Sequence, residues 1–405
     1  MSLSLPLTAA ESALDGFRLP HRREEDWRWT DLRQLLDRAY PPAHGGNAPA
    51  ALIDRLDKAD VLAGFSRTRI VFVDGAYDAA RSRLPAAGPV QVEVHAKAPP
   101  SPARASYEDV LANLNDRFCR EAVKITVKAG AVVEEPIALV FIATGVAETS
   151  TYARAEIVLE KGATATMLES HVGGTGAHVV SSLTEAVIGE KAQLHRVKLG
   201  EDGADAIHLA SFHARLHAHS ALRDFTLTQG ARATRQQGFI TFDGEHGDAK
   251  VTGAYLLNGK QHADTKLTVD HAVPNCVSRE LFKCVMDGEA RGVFQGKVVV
   301  RKDAQKTDGK QSSNALLLSE TAEFDAKPEL EIFADDVVCG HGATSGALDD
   351  DHLFYLRARG VPEAEAKSLL IAAFAGEAFD EVAHEGVREA LVALTQGWLV
   401  TRKGA

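Results

Sequence analysis

Cysteine is scarce: Cys119, Cys276, Cys284 and Cys339 are scattered along 405 residues, with no CxxC pair among them. That spacing excludes a disulfide framework and a zinc knuckle, and reduced thiols are the expectation. Basic charge is also short, with 45 Lys and Arg against 56 Asp and Glu for a net charge of -11. No Lys/Arg run offsets this locally, so nucleic acid is not expected as a partner. Long apolar runs are missing too. No window reaches the ~20 residues that span a bilayer, and Met1 to Thr8 has no basic n-region. The expectation is a soluble, cytoplasmic protein.

Nucleotide loops are absent as well. Gly253 to Lys260 places five residues between its glycines where a phosphate loop has four, and Gln261 stands where Ser or Thr must bind magnesium. Gly340 to Gly346 misses the dinucleotide fingerprint by one residue. Neither an ATPase nor a dehydrogenase is indicated.

What is present is a chain too long for one compact core, with 45% apolar and 25% charged residues. His21 to Leu32 is rich in Glu, Asp, Arg and Trp and reads as helical, ending in a linker at Pro41 to Gly46. A short strand at Ile70 to Val73 closes on Asp74-Gly75, and Ser106 with Asp109 has the spacing of a capping box opening a helix. Residues 1–121 are therefore assigned to an N-terminal α/β region.

From 122 to 347 the chain turns into short Val, Ile, Leu and Thr runs broken by Gly, Asp or Ser, with little helical periodicity. Small-residue corners recur at Gly130-Ala131, Gly162-Ala163, Lys191-Ala192, Ser220-Ala221 and Asp248-Ala249, their alanines 32, 29, 29 and 28 residues apart. A repeat near 30 with two β runs per unit fits a parallel β-helix, in which each coil buries its apolar face on the next. A β-sandwich is the competing arrangement, but it needs turn signals every 8–12 residues. Asn-Gly pairs are sparse, Asn258-Gly259 being the one exception.

Beyond 348 the pattern is helical. Asp349-Asp350-Asp351 opens a helix that stops at Gly360, and Pro362 starts a second. Ala366, Leu369, Leu370, Ala373, Phe374 and Ala378 then form an apolar stripe that must cover the end of the solenoid or a partner. Residues 348–405 form the C-terminal helical domain.

Three constellations carry chemistry. His213, His217 and His219, with His208 nearby, would share one strand face if extended, although no carboxylate or thiolate stands at ligand spacing, and core or solvated histidines are the plainer explanation. Glu134-Glu135 and Asp335-Asp336 suit acid–base work on a sugar, which keeps a β-helical carbohydrate-active enzyme as an alternative, against the 6% aromatic content. In Ala334 to Thr344, Cys339 and His341 point to one side of an extended strand, while Gly340 and Gly342 leave room for a cluster or another backbone. From spacing alone this is either a metal or cluster site or a structural strand end.

The segment Ala334 to Thr344, continued through Gly346 to Asp349 and Leu353 to Gly360, resembles the signature of the SufB/SufD family of iron–sulfur cluster assembly proteins. Gln311 to Leu318 and Lys327 to Ile332 extend the resemblance, and His21 to Thr30 resembles its SufD branch. The resemblance implies a right-handed parallel β-helix between an N-terminal region and a C-terminal helical domain. It also implies a non-enzymatic scaffold that pairs with SufB, docks the ABC-type ATPase SufC through its C-terminal helices, and supports iron acquisition and cluster formation. Self-pairing in the absence of SufB is the remaining option. By the same resemblance His341, with Cys339 beside it, is a ligand of a transient iron–sulfur cluster shared with SufB, and Leu369, Leu370, Ala373 and Phe374 belong to the SufC-docking region.

Overall fold

A computed structural model describes residues 6–97, 101–104 and 106–401, so most of Met1 to Thr8 lies outside the described residues. The body is a two-sheeted parallel β-solenoid in which successive strands alternate between the sheets. Sheet A contains β4 (Val90–His95), β5 (Ala122–Val127), β7 (Ser150–Leu159), β9 (Val179–Ile188), β11 (Ile207–Leu216), β13 (Ala233–Phe242), β15 (His262–His271), β17 (Arg291–Val300) and β19 (Glu323–Ile332). Sheet B contains β2 (Thr68–Val73), β3 (Ala76–Tyr77), β6 (Ile137–Ala143), β8 (Thr164–Gly173), β10 (Gln193–Asp202), β12 (Ala221–Gly230), β14 (Asp248–Leu257), β16 (Val277–Met286), β18 (Asp308–Leu317) and β20 (Val338–Gly346).

The corner repeat is real, but its register drifts. Thr164 pairs with Gln193, and Gln193 with Ala221, so Ala192 is level with Ser220 rather than Ala221. Ala221 in turn pairs with Asp248, not Ala249. The conserved quantity is a backbone shape. Gly130, Gly162, Lys191, His219, His246, Asn275 and Lys306 all have positive φ, between 57° and 69°. The last six each sit two residues before a sheet B strand. Non-glycine residues in this region cost about 1–3 kcal/mol each, and the corner sustains them with a ladder between coils. The Lys191 amide donates to the Ala218 carbonyl at 2.9 Å, His219 to Glu245 at 2.8 Å and Asn275 to Gln305 at 2.9 Å.

Inside the solenoid runs a continuous apolar core from Ile70, Val123 and Leu139 to Phe282 and Phe294. Outside, each sheet is covered by a different end of the chain. Helices α1 (Ala9–Ala13), α2 (Leu32–Leu35) and α4 (Val110–Phe118) pack Leu14, Leu32, Leu111 and Leu114 on Tyr152, Val179, Ile207 and Leu209 of sheet A. On sheet B, α3 (Ala50–Ala59), α6 (Glu363–Gly376) and α7 (Glu385–Thr401) cover Val197, Phe225, Leu256 and Val285. With both faces covered, sheet B strands lose the alternation of a half-exposed sheet: all seven residues of β6 are buried.

Several sequence expectations change. His21 to Leu32 is not one helix; ahead of α2, which begins only at Leu32, it holds a single 3₁₀ turn, Glu25–Trp27, and acts as a strap across sheet A. Trp27 is buried with the Arg235 guanidinium 4.5 Å from its ring centre, Lys327 reaches Glu25 at 2.8 Å, and Lys266 pairs with Asp26. These tertiary anchors override the helical composition. The stretch read as a linker at Pro41 to Gly46 contains β1 (Pro42–Ala43), which pairs with β7. Asp109, not Ser106, caps α4, accepting from the amides of Leu111 and Ala112. The second C-terminal helix has Pro362 at its N-cap, one residue earlier than expected.

The C-terminal stripe also differs. α6 buries Ala366, Ile371 and Ala375. The helices therefore lie on the flank of sheet B and do not cap the end of the solenoid. From Leu369 to Ala375 every residue of α6 is apolar, so periodicity alone could not select its inward face.

Candidate functional site

Cys339 and His341 lie on β20, the last strand of sheet B, level with Gly309 and Gln311 of β18. Both point inward. The Cys339 sulfur comes within 3.6 Å of where a Cβ on Gly309 would stand, and it packs at the edge of a small cluster formed by Val298, Val300, Ala304 and Ala334. Because no further coil follows, this inward face opens to solvent: Cys339 is half-buried and His341 exposed. Burial pushes the Cys339 thiol up, partly offset by a hydrogen bond from the Gly309 backbone. Cys339 is therefore a protonated thiol at neutral pH and must lose its proton to bind a metal.

Gly340 and Gly342 face the opposite way, and a Cβ on either would meet nothing within 4 Å. β19 and β20 are both terminal strands of their sheets. Ile332, Phe333 and Val338 beside them are 40%, 64% and 63% exposed. Among the described residues, no three His, Cys, Asp or Glu side chains converge to hold a metal ion. The terminal coil therefore presents two donor side chains on an open edge.

The other histidines are accounted for locally. His208 lies buried in the lumen, 2.7 Å from Asp202 and 3.0 Å from Lys198, and His213 is 2.9 Å from Asp109. His217 and His219 sit beyond the end of β11 in the corner, so the expected common face does not form. Glu134, Glu135, Asp335 and Asp336 are exposed, Glu135 pairing with Arg67 and Asp336 with Lys306. Gly253 lies within β14 against the Phe282 ring, and Gly340 to Gly346 is strand, so neither forms a phosphate-binding loop. Cys119, Cys276 and Cys284 are free thiols; burial raises Cys119 to about 12 and Cys276 to about 11.

On α6, Leu369 is 50% exposed and Ala373 is exposed, whereas Leu370 and Phe374 are half-buried. Phe374 lies under the Lys283 ammonium at 4.6 Å. Leu370 and Phe374 line a groove with Leu316, Ser345 and Leu348, which links α6 to the base of β20. On α5 (Asp350–Ala358), Phe354 and Tyr355 are 73% and 55% exposed.

Sequence reasoning missed a set of charged residues inside the lumen. Glu169, Arg196, Lys198, Asp202 and Asp224 are each at most 5% exposed, and Arg196 bridges Glu169 at 2.8 Å and Asp224 at 2.7 Å. Burial lowers Lys198 to about 8. Their paired signs were the available signal, but nothing in the sequence placed the partners side by side.

Comparison with known proteins agrees with this architecture. Residues 141–374 match the SufBD core domain of SUF system FeS cluster assembly. The chain is 30% identical to the iron-sulfur cluster assembly protein SufD of Escherichia coli, covering 93% of this chain and 88% of that one. It is 31% identical to the SufBD family protein slr0076 of Synechocystis, covering 92% and 86%, and 27% identical to the chloroplastic protein ABCI7 of Arabidopsis thaliana, covering 96% and 85%. The two-sheeted solenoid, the exposed Cys339–His341 coil and the length of these matches lead to one assignment: the chain belongs to the SufBD family of the SUF iron–sulfur cluster assembly system.

Proposed function

We propose that this chain is the SufD-type subunit of a complex with SufB and the ATPase SufC, and that it has no catalytic activity of its own. Its terminal coil pairs with the corresponding end of SufB. His341, with Cys339 beside it, contributes to the site where a transient cluster forms as cargo. The chain supports iron acquisition, and cluster formation is coupled to ATP hydrolysis by SufC. The observation that carries this reading is the open last coil: unpaired strand edges favour pairing with another chain, and two donors facing that edge need ligands from a partner to complete a four-coordinate site.

SufC docking falls to the C-terminal helices. Exposed Phe354, Tyr355 and Leu369 offer an apolar surface there, next to Leu370, Ala373 and Phe374. Large apolar side chains exposed together mark interaction surfaces. Co-purification of the three chains, followed by anaerobic iron and sulfide analysis with and without His341→Ala, tests the proposal. Normal cluster content in the variant complex would remove His341 from the site.

A further inference from the structure

The segment His21 to Thr30, to which the proposed function gives no task, forms one wall of a pocket on the outer face of sheet A. Arg22, Arg28 and Trp29 come from this strap. Across from them stand Arg232, just ahead of β13, and His262 and Arg291, register partners that begin β15 and β17. The cavity holds about 390 Å³, toward the lower end of the range for small-molecule sites. Four arginines thus line one pocket of a chain whose net charge is -11.

These arginines are not equally neutralised. Arg232 is held by Asp37 at 3.3 Å, and Arg291 pairs with Glu323. Asp31, the acidic residue in the wall, turns its carboxylate to the backbone: Oδ1 accepts from the Gln34 amide at 3.2 Å and Oδ2 from the Arg22 amide at 3.3 Å. The Arg22 and Arg28 guanidiniums form no ion pair among the described residues, and Arg28 lies 5.5 Å from the Trp29 ring centre. A cleft lined by one sign of charge concentrates ions of the other. Guanidinium forks match the geometry of phosphate oxygens.

His262 is oriented in the same wall. Its Nε2 lies 2.8 Å from Thr30 Oγ1, and Thr30, only 3% exposed, donates its hydroxyl proton to Asp264 at 2.5 Å. Asp264 is itself paired with the buried Arg235. With the hydroxyl proton committed to Asp264, Thr30 Oγ1 receives the His262 Nε2–H, and Nδ1 keeps the lone pair. Burial, reinforced by the Arg291 and Arg235 charges and opposed by Asp264, holds His262 below its ordinary value. The ring is therefore neutral at pH 7, and its Nδ1 has no hydrogen-bond partner among the described residues.

We propose that this pocket binds a small anion bearing a phosphate group, with Arg22 and Arg28 holding its oxygens and His262 Nδ1 accepting a hydrogen bond from its P–OH. Arg232 and Arg291 add to the positive field. The same contacts serve free phosphate and a phosphate monoester, and Trp29 gives an ester's ring a surface to lie on. This site is independent of the reading of His341 as a cluster ligand.

Calorimetric titration of the full chain at pH 7, with inorganic phosphate in one arm and adenosine 5′-monophosphate in the other, tests the proposal. Saturable binding is expected in at least one arm. Tighter binding of the monophosphate marks an ester as the ligand, and equal binding marks the phosphate group alone. Arg22→Gln combined with Arg28→Gln should weaken it by about tenfold or more, and both side chains are exposed, so the fold is not at risk. Arg67→Gln combined with Lys310→Gln, which removes the same charge from exposed positions on the sheet B side, should leave it unchanged. In ¹H–¹³C spectra of the histidine rings, the ligand should move the signal that His262→Gln removes. No saturable binding in either arm at millimolar ligand overturns the proposal, as does equal weakening in the two double variants or an unmoved His262 signal.

Discussion

Glu280→Gln exchanges one carboxyl oxygen for an amide nitrogen inside the lumen, and its effect on stability should depend on pH in a defined way. Burial raises the Glu280 carboxyl from 4.5 to about 8. The unfolded chain releases this proton near 4.5 while the folded chain keeps it to about 8, so the wild type loses stability as pH climbs between those values. At about 1.4 kcal/mol per tenfold change in proton affinity, the loss is about 3 kcal/mol at pH 7 and about 5 kcal/mol above pH 8. Glutamine does not ionise and escapes it. With an unfolding entropy of about 0.85 kcal/mol/K for a chain of 405 residues, the variant should melt about 4 °C above the wild type at pH 7. The two should melt together near pH 4.5. Thermal melts at half-unit intervals from pH 4.5 to 8.5 measure the difference, in which titrations common to both proteins cancel. A difference that stays flat across this range would refute the reasoning, because it would mean that Glu280 is ionised and partnered in the folded chain.

Other substitutions probe the site and the frame. His341→Ala, at an exposed position, should change stability by less than about 0.5 kcal/mol while lowering cluster content in the complex. Cys339→Ser should lower it less; a larger loss than for His341→Ala would reverse their ranking. Phe354→Asp combined with Leu369→Asp should abolish co-elution with SufC on size exclusion without moving the melting temperature, and retained co-elution would place the docking surface elsewhere. Trp27→Ala, which removes the ring beneath Arg235, should cost about 3–5 kcal/mol in urea unfolding. His246→Gly, at a positive-φ corner, should stabilise by about 1 kcal/mol, and a destabilisation would show that its stacking on His219 at 4.8 Å outweighs the backbone strain.

The solenoid was legible because its corners are periodic and small, and the coils' apolar runs follow them. The register was not. A coil can lose a residue at its corner and still stack, as between Ala192 and Ser220, and the positive-φ position is held by glycine in some coils and by Lys, His or Asn in others. Counting residue types therefore follows the repeat only until the corner chemistry changes. The strap at Glu25–Trp27 was misread because its acidic and aromatic side chains bond to residues more than 200 positions away in sequence. Strand Thr68–Val73 was found because Asp74-Gly75 closes it locally, both with positive φ. The lumen charges escaped because an inward Arg196 looks like an outward one until Glu169 and Asp224 are seen on the neighbouring coils.

The position of Cys339 and His341 follows from the geometry of a solenoid. In the interior coils an inward side chain has another coil on each side of it, and polar groups there must satisfy one another, as Arg196 does with Glu169 and Asp224. At the first coil the lumen is filled by Phe72, Val90, Val92 and Tyr77. At the last coil the inward column continues but the cover stops, and the α6–α7 helices lie on the flank of sheet B instead of across the opening. An inward residue there is anchored by the register below it and reachable from above. That combination suits a ligand better than a flexible surface loop does, because a donor held by its neighbours gives up less conformational freedom when it binds.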